Sequence, residues 1–153
     1  MKTKRLFFAS TLFLLACGKQ PFEVEGEAVA YTEMAAGDLY GNGEEEIPAQ
    51  ATAIYSAEVW TNLLEKMNAV NAVDDSFVVT DIDFDTEMIL VLFDEIKGTD
   101  GHQIRVSKMI EFEDQIILTV AKNEPTEDVL STVITQPFYI IKAAKTEKAI
   151  IFN

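Results

Sequence analysis

One cysteine, one histidine, four prolines and seven glycines are spread over 153 residues. A lone Cys17 rules out an internal disulfide framework. A lone His102 narrows any histidine-based catalysis to a single arrangement. Positive charge is scarce, with 12 Lys+Arg against 26 Asp+Glu and a net charge of −14. So acidic a surface repels nucleic acid and anionic lipid headgroups. Long apolar runs are missing too, because the stretch from Leu6 to Ala16 is only about half of what a bilayer-spanning helix needs. What is present is an apolar content of 48 % in a chain of a length that suits one compact domain.

Lys2, Lys4 and Arg5 precede that apolar stretch, and Ala16 precedes Cys17. A basic start, a short apolar run and a small residue at the cut describe an export signal over residues 1–16. The sequence Leu14-Leu15-Ala16-Cys17 resembles the lipobox of bacterial lipoproteins. That resemblance implies cleavage before Cys17, acylation of its thiol, and a membrane attachment made by the acyl chains. Removing residues 1–16 takes three of the 12 basic residues, leaving 137 residues with a net charge of −17. No aspartate follows Cys17 in Gly18-Lys19-Gln20, so within the lipoprotein family the outer membrane is the expected address.

Five of the seven glycines, with Pro21, Pro48 and the triplet Glu44-Glu45-Glu46, lie between residues 18 and 50. This density of turn residues predicts an acidic tether over 17–50, the triplet being a solvated loop, with Val24, Val29 and Tyr31 able to add an edge strand. The folded domain is expected over 51–153. Ser56 is a good N-cap and Glu58 suits a first helical turn, while Trp60, Leu63, Leu64 and Met67 recur at helical spacing on one face. Asp81 to Asp85 alternates like a half-buried strand, and Met88 to Phe93 is an apolar run suited to a strand buried on both faces. Further strands are expected where Ile104, Val106, Ile110 and Phe112 share a parity, over Ile116 to Val120, around Val133-Ile134 and Phe138 to Ile141, and over Ala149 to Phe152. Pro137 removes a ladder donor and predicts a bulge or an edge. The expected fold class is α+β, a mostly antiparallel meander carrying one amphipathic helix.

Candidate chemistry is sparse. Once Cys17 is acylated only a Ser-His pair could supply a nucleophile and base, and no serine lies in a nucleophile-elbow sequence. The spacing of Asp81, Asp83 and Asp85 invites calcium, but Thr86 and Leu92 stand where an EF-hand loop needs glycine and glutamate. No glycine-rich phosphate loop and no cofactor-binding motif occurs.

The segments Lys97-Gly98-Thr99-Asp100-Gly101-His102-Gln103-Ile104, Asn123-Glu124-Pro125 and Thr135-Gln136-Pro137-Phe138-Tyr139-Ile140-Ile141-Lys142, after a Trp60 helix and the Met88 to Phe93 run, resemble the protease complex subunit PrcB family. In that family a turn of the type G-x-K-P-x-G-G-Y leads into a long strand and a T-x-P-Y/F-x-I-V-K segment closes the domain. Here Asp100-Gly101-His102 stands in place of Gly-Gly-Tyr. The resemblance implies a non-catalytic lipoprotein that associates with and stabilises an exported protease. Thr99, Asp100, Gly101, His102, Phe138 and Tyr139 are then the expected partner contacts, with β-augmentation at an edge near Pro137 as the mode. A small-ligand or cation-binding lipoprotein is the alternative from another class, and direct inhibition of a protease by the glycine turn is a third.

Overall fold

The computed structural model describes residues 25–73, 76–78, 81–126 and 131–153. The export signal and Cys17 lie outside the described residues. In chain order the elements are β1 (Glu27–Ala28), β2 (Tyr31–Leu39), β3 (Gln50–Ile54), α1 (Ala57–Met67), β4 (Glu87–Phe93), β5 (Gln103–Glu111), β6 (Gln115–Asn123), β7 (Gln136–Ala144) and β8 (Ala149–Phe152). They form two four-stranded sheets, ordered β1-β5-β6-β8 and β2-β7-β4-β3. Every described strand pair is antiparallel except β6 with β8. The α+β class with one helix on mostly antiparallel sheet is the observed one. Its connectivity is less simple than a meander, since β7 inserts between β2 and β4.

Three layers follow from the side chains. Met88, Leu90, Leu92, Tyr139, Ile141 and Ala143 on one face of the β2-β7-β4-β3 sheet pack against Ile104, Val106, Met109, Ile116 and Leu118 of the other sheet. Ile89, Val91, Phe93, Phe138 and Ile140 on its opposite face pack against Trp60 and Met67 of α1. A strand sandwiched this way has no polar face, which is why Met88 to Phe93 reads as one apolar run. The helix begins as expected, with the Val59 N–H donating to the Ser56 Oγ at 3.4 Å.

Several expectations give way. Residues 27–50 are not a tether: β2 pairs along its whole length with β7 and buries Met34, Ala35 and Leu39, and Ile47 is buried beyond it. Within the acidic triplet, Glu44 and Glu46 are exposed but Glu45 turns inward and accepts from the Gly41 N–H at 2.8 Å. Asp81 to Asp85 is a turn, because the Asp83 carboxylate accepts from the Asp85 N–H and the Thr86 hydroxyl, each at 3.0 Å. In β5 a bulge between Val106 and Lys108 breaks the parity, so Ile104, Val106 and Met109 face the core. Val133 and Ile134 are irregular and partly exposed. Pro137 stands neither at a bulge nor at an edge. It is the second residue of the interior strand β7, where its missing donor falls at the strand's beginning.

Candidate functional site

β1 and β2 run on from one another, antiparallel to β5. Glu27 pairs with Glu111 and Ala28 with Ile110, and the Val29 N–H donates to the Met109 carbonyl at 3.0 Å. The Tyr31 hydroxyl then donates to the Val106 carbonyl at 3.1 Å, the last bond of this seam. β2 is paired with β7 from Tyr31 onward, with a bulge between Glu33 and Ala35, and β5 carries its own bulge between Val106 and Lys108. The two strands splay and leave a cleft of about 350 Å³, lined by Glu33, Ala36 and Asp38 on one wall, His102, Ile104 and Arg105 on the other, and Phe138 and Tyr139 beneath. On the opposite side of the sandwich β3 lies against β8, so the opening is on the β2/β5 side.

Backbone alternation fixes what the walls present. Pro137 turns its carbonyl to β4, accepting from the Asp94 N–H at 2.9 Å. Its neighbour Phe138 therefore faces Gly37 across the β2/β7 ladder, and the backbone groups of Ala36 and Asp38 turn away from β7. On the other wall the Val120 N–H donates to Asn153 at 2.7 Å, so Val106 opposite Val120 points away from β6, and Ile104 two residues earlier does the same.

The Thr99 to His102 turn closes one end. Gly101 has φ +83°, and a Cβ there would stand 3.0 Å from the Pro125 Cβ. The His102 Nε2 and Thr99 Oγ1 are 2.9 Å apart in a hydrogen bond. Nδ1 lies 2.7 Å from the Glu124 carboxylate but out of line for a hydrogen bond. The Ser131 N–H donates to Asp100 Oδ1 at 3.1 Å, and the Thr135 hydroxyl donates to the Thr99 carbonyl at 3.1 Å. Of the expected contact residues, Gly101, His102, Phe138 and Tyr139 do line one cleft. Thr99 and Asp100 stand behind it and hold the turn. Phe138 is also core, with its ring 6.2 Å from that of Phe93. Gln136 is structural, since its amide donates to the Ile47 and Asp94 carbonyls at 2.9 and 3.0 Å.

Two groups in the cleft carry shifted ionisation. Burial pushes the Asp38 carboxyl up, against the lowering effect of the Thr135 hydroxyl and His102, and Asp100 adds repulsion. Its Oδ1 is enclosed and lacks a hydrogen-bond partner. Burial, with the neighbouring Glu33 carboxylate, pushes the Tyr139 phenol up, so it remains a neutral donor at any physiological pH. Glu33, Ala36, Gly37, Asp38 and Arg105 escape sequence reasoning because the β2 segment reads as tether and Arg105 lies on the outward parity of its strand. Among the described residues no group of three His, Cys, Asp or Glu side chains is placed to hold a metal ion.

No family model, curated protein or solved structure matches the chain. The cleft offers backbone donors and acceptors, two carboxylates, one guanidinium and a buried aromatic floor, which suits recognition of a polar, extended molecule.

Proposed function

We propose that this chain is a lipid-anchored, non-catalytic envelope protein that binds or stabilises an exported protease or similar protein partner, and that the partner engages the β2/β5 cleft. The observation that carries the reading is the convergence of Gly101, His102, Phe138 and Tyr139 on one opening flanked by strand edges. The Cys17 lipobox supports the anchor, and the acidic surface leaves the acyl chains to supply membrane affinity. The described chain enters beside Glu111, and His102 at the cleft is nine residues away from that point, about 30 Å at ~3.4 Å per residue. Such an arrangement holds the cleft away from the bilayer, toward a partner in the aqueous space.

The test is affinity purification of the full lipidated protein from detergent-solubilised envelopes, followed by mass spectrometry. A protease should co-purify, and a variant with Thr99 to His102 replaced should recover less of it. Recovery of no specific partner, or equal recovery by the turn variant, rejects the reading. Cys17→Ala should lose the acyl mass and leave the membrane fraction. A second reading, a small polar ligand, draws on the cleft's volume, which falls in the range of small-molecule sites. A thermal-shift screen separates the two, because a ligand bound only by the folded chain raises Tm.

A further inference from the structure

The cleft's walls are strand edges, and that constrains what can fill it. Ala36 and Asp38 on β2, and Ile104 on β5, aim backbone groups into the opening instead of at a neighbouring strand. A row of N–H and C=O groups in this state is a template for another backbone. Side chains leave room for one, because Ala36 and Gly37 are among the smallest residues and sit in the middle of the β2 wall. The row is bounded on both sides: β1 pairs with β5 at Glu111 and Ile110, and the Val78 N–H donates to the Met34 carbonyl of β2 at 2.9 Å, so the edge offered to a guest begins at Ala36. Charge sets the chemistry of the guest. Asp38 has an enclosed carboxylate oxygen without a partner and Glu33 stands on the same wall; Arg105 and His102 face them from the other, and with the chain as a whole at −14 the balance draws a basic segment to the β2 wall and repels an acidic one.

We propose that the cleft takes up an extended, basic segment of a partner protein, which pairs as a strand with the edge of β2 at Ala36 and Asp38 and brings a lysine or arginine to the Asp38 carboxylate. This rests on the partner-binding reading above and names the partner's chemistry and mode of pairing. The guest's alternate side chains point down toward Tyr139 and out to solvent.

The experiment is selection of a random peptide library, about twelve residues long, on the full mature protein, with the enriched peptides then titrated by fluorescence anisotropy and mapped by backbone amide NMR. Enriched peptides should be rich in lysine and arginine, free of proline at their centre, and should shift the amides of residues 36, 38 and 104. Ala36→Pro removes the edge donor without touching a bond to β7, and should weaken binding by about tenfold or more. Asp38→Asn should weaken it about threefold to tenfold and flatten its salt dependence. No enrichment, acidic or charge-indifferent peptides, amide shifts away from the cleft, or undiminished binding to Ala36→Pro would each overturn the proposal. If Ala36→Pro does not fold, the wild-type amide map and Asp38→Asn still decide it. Saturation of the cleft by a second copy of the chain, seen as a dimer in sedimentation, would also overturn it. Should the envelope purification recover a partner while every peptide outcome is negative, strand pairing alone falls and the partner-binding reading stands.

Discussion

Asp38 and Asp94 flank Pro137 from either side, one opposite it in β2 and the other donating its N–H to the Pro137 carbonyl, yet their ionisation moves in opposite directions. Burial raises Asp38, and the Thr135 hydroxyl and His102 compensate only in part. Burial also opposes charge on Asp94, but Lys122, the Glu95 backbone and Lys97 outweigh it and hold the carboxyl below its usual value. The folded chain thus binds a proton at Asp38 more tightly than the unfolded chain does, so its ionised form costs stability that is regained as pH falls through the raised folded value toward about pH 4. Asp94 acts the other way, adding stability above about pH 4 that is lost as pH falls through its folded pKa. Asp94→Asn should lower stability at pH 7 by about 1–2 kcal/mol, the Lys122 partner being half exposed, and the deficit should vanish near pH 3. Asp38→Asn should instead raise Tm at pH 7, on the order of 1–2 °C, with the gain fading as pH falls toward about 4, above the range in which the Asp94 deficit fades. Thermal unfolding from pH 3 to 8 reads both; matching slopes for the two variants would contradict the assignment. Gly101 tests the turn beside the cleft. With φ +83° and the Pro125 Cβ only 3.0 Å from where an added methyl would stand, Gly101→Ala should cost about 1–2 kcal/mol whether or not a partner touches it. An equilibrium urea titration that shows no loss would mean that the turn can relax.

At the level of elements, α1 and β4 are legible because one dominant periodicity governs each. Trp60, Leu63, Leu64 and Met67 share a stripe packed on the sheet, and Ser56 caps it. Ser56→Ala should cost about 1 kcal/mol, less if water replaces the 3.4 Å bond, and denaturant unfolding measures it. Where geometry breaks the period, the sequence reads wrongly. β2 carries a bulge between Glu33 and Ala35 and then the small residues Ala36 and Gly37 on the cleft wall, so neither alternation nor bulk marks it as a strand. The bulge in β5 moves the buried set from Ile110 to Met109. Asp81 to Asp85 fails in the opposite sense, an alternating pattern without a strand, because Asp83 satisfies the backbone locally. The site shares this fate. Its β5–β7 half, from Gly101 to Tyr139, is visible in the glycine turn and the aromatic strand, and its β2 half is hidden in a segment whose glycines and acids imitate a linker. The bulge and the small residues that conceal β2 in the sequence lie along the cleft wall.

For the molecule as a whole, the consequence is a change in what counts as the folded unit. If the domain began at residue 51, β7 would be an edge strand and the β2 lane would be empty. Instead Met34 and Leu39 are fully buried and Ile47 nearly so, all on the helix side of the sheet with Phe138 and Ile140. Burying side chains of this size contributes about 1.5–3 kcal/mol each, so the three together supply on the order of 5–9 kcal/mol, against a net stability of about 5–15 kcal/mol for a typical domain. Losing them, along with the β2/β7 ladder and the Gln136 bond to Ile47, leaves too little to hold the remaining strands. A chain spanning residues 25–153 should therefore unfold cooperatively on heating, with a near-ultraviolet circular dichroism signal from Trp60 in its core, whereas 51–153 should show neither. Cooperative unfolding of 51–153 with that aromatic signal intact would restore the long tether and remove the β2 wall from the site. With the unit starting near residue 25, only seven residues lie between it and Cys17, eight chain steps with a reach of at most about 28 Å. On the proposed reading the chain from Cys17 enters the fold beside Glu111, at the end of β5 opposite the cleft, which leaves the cleft end for a captured strand of a partner.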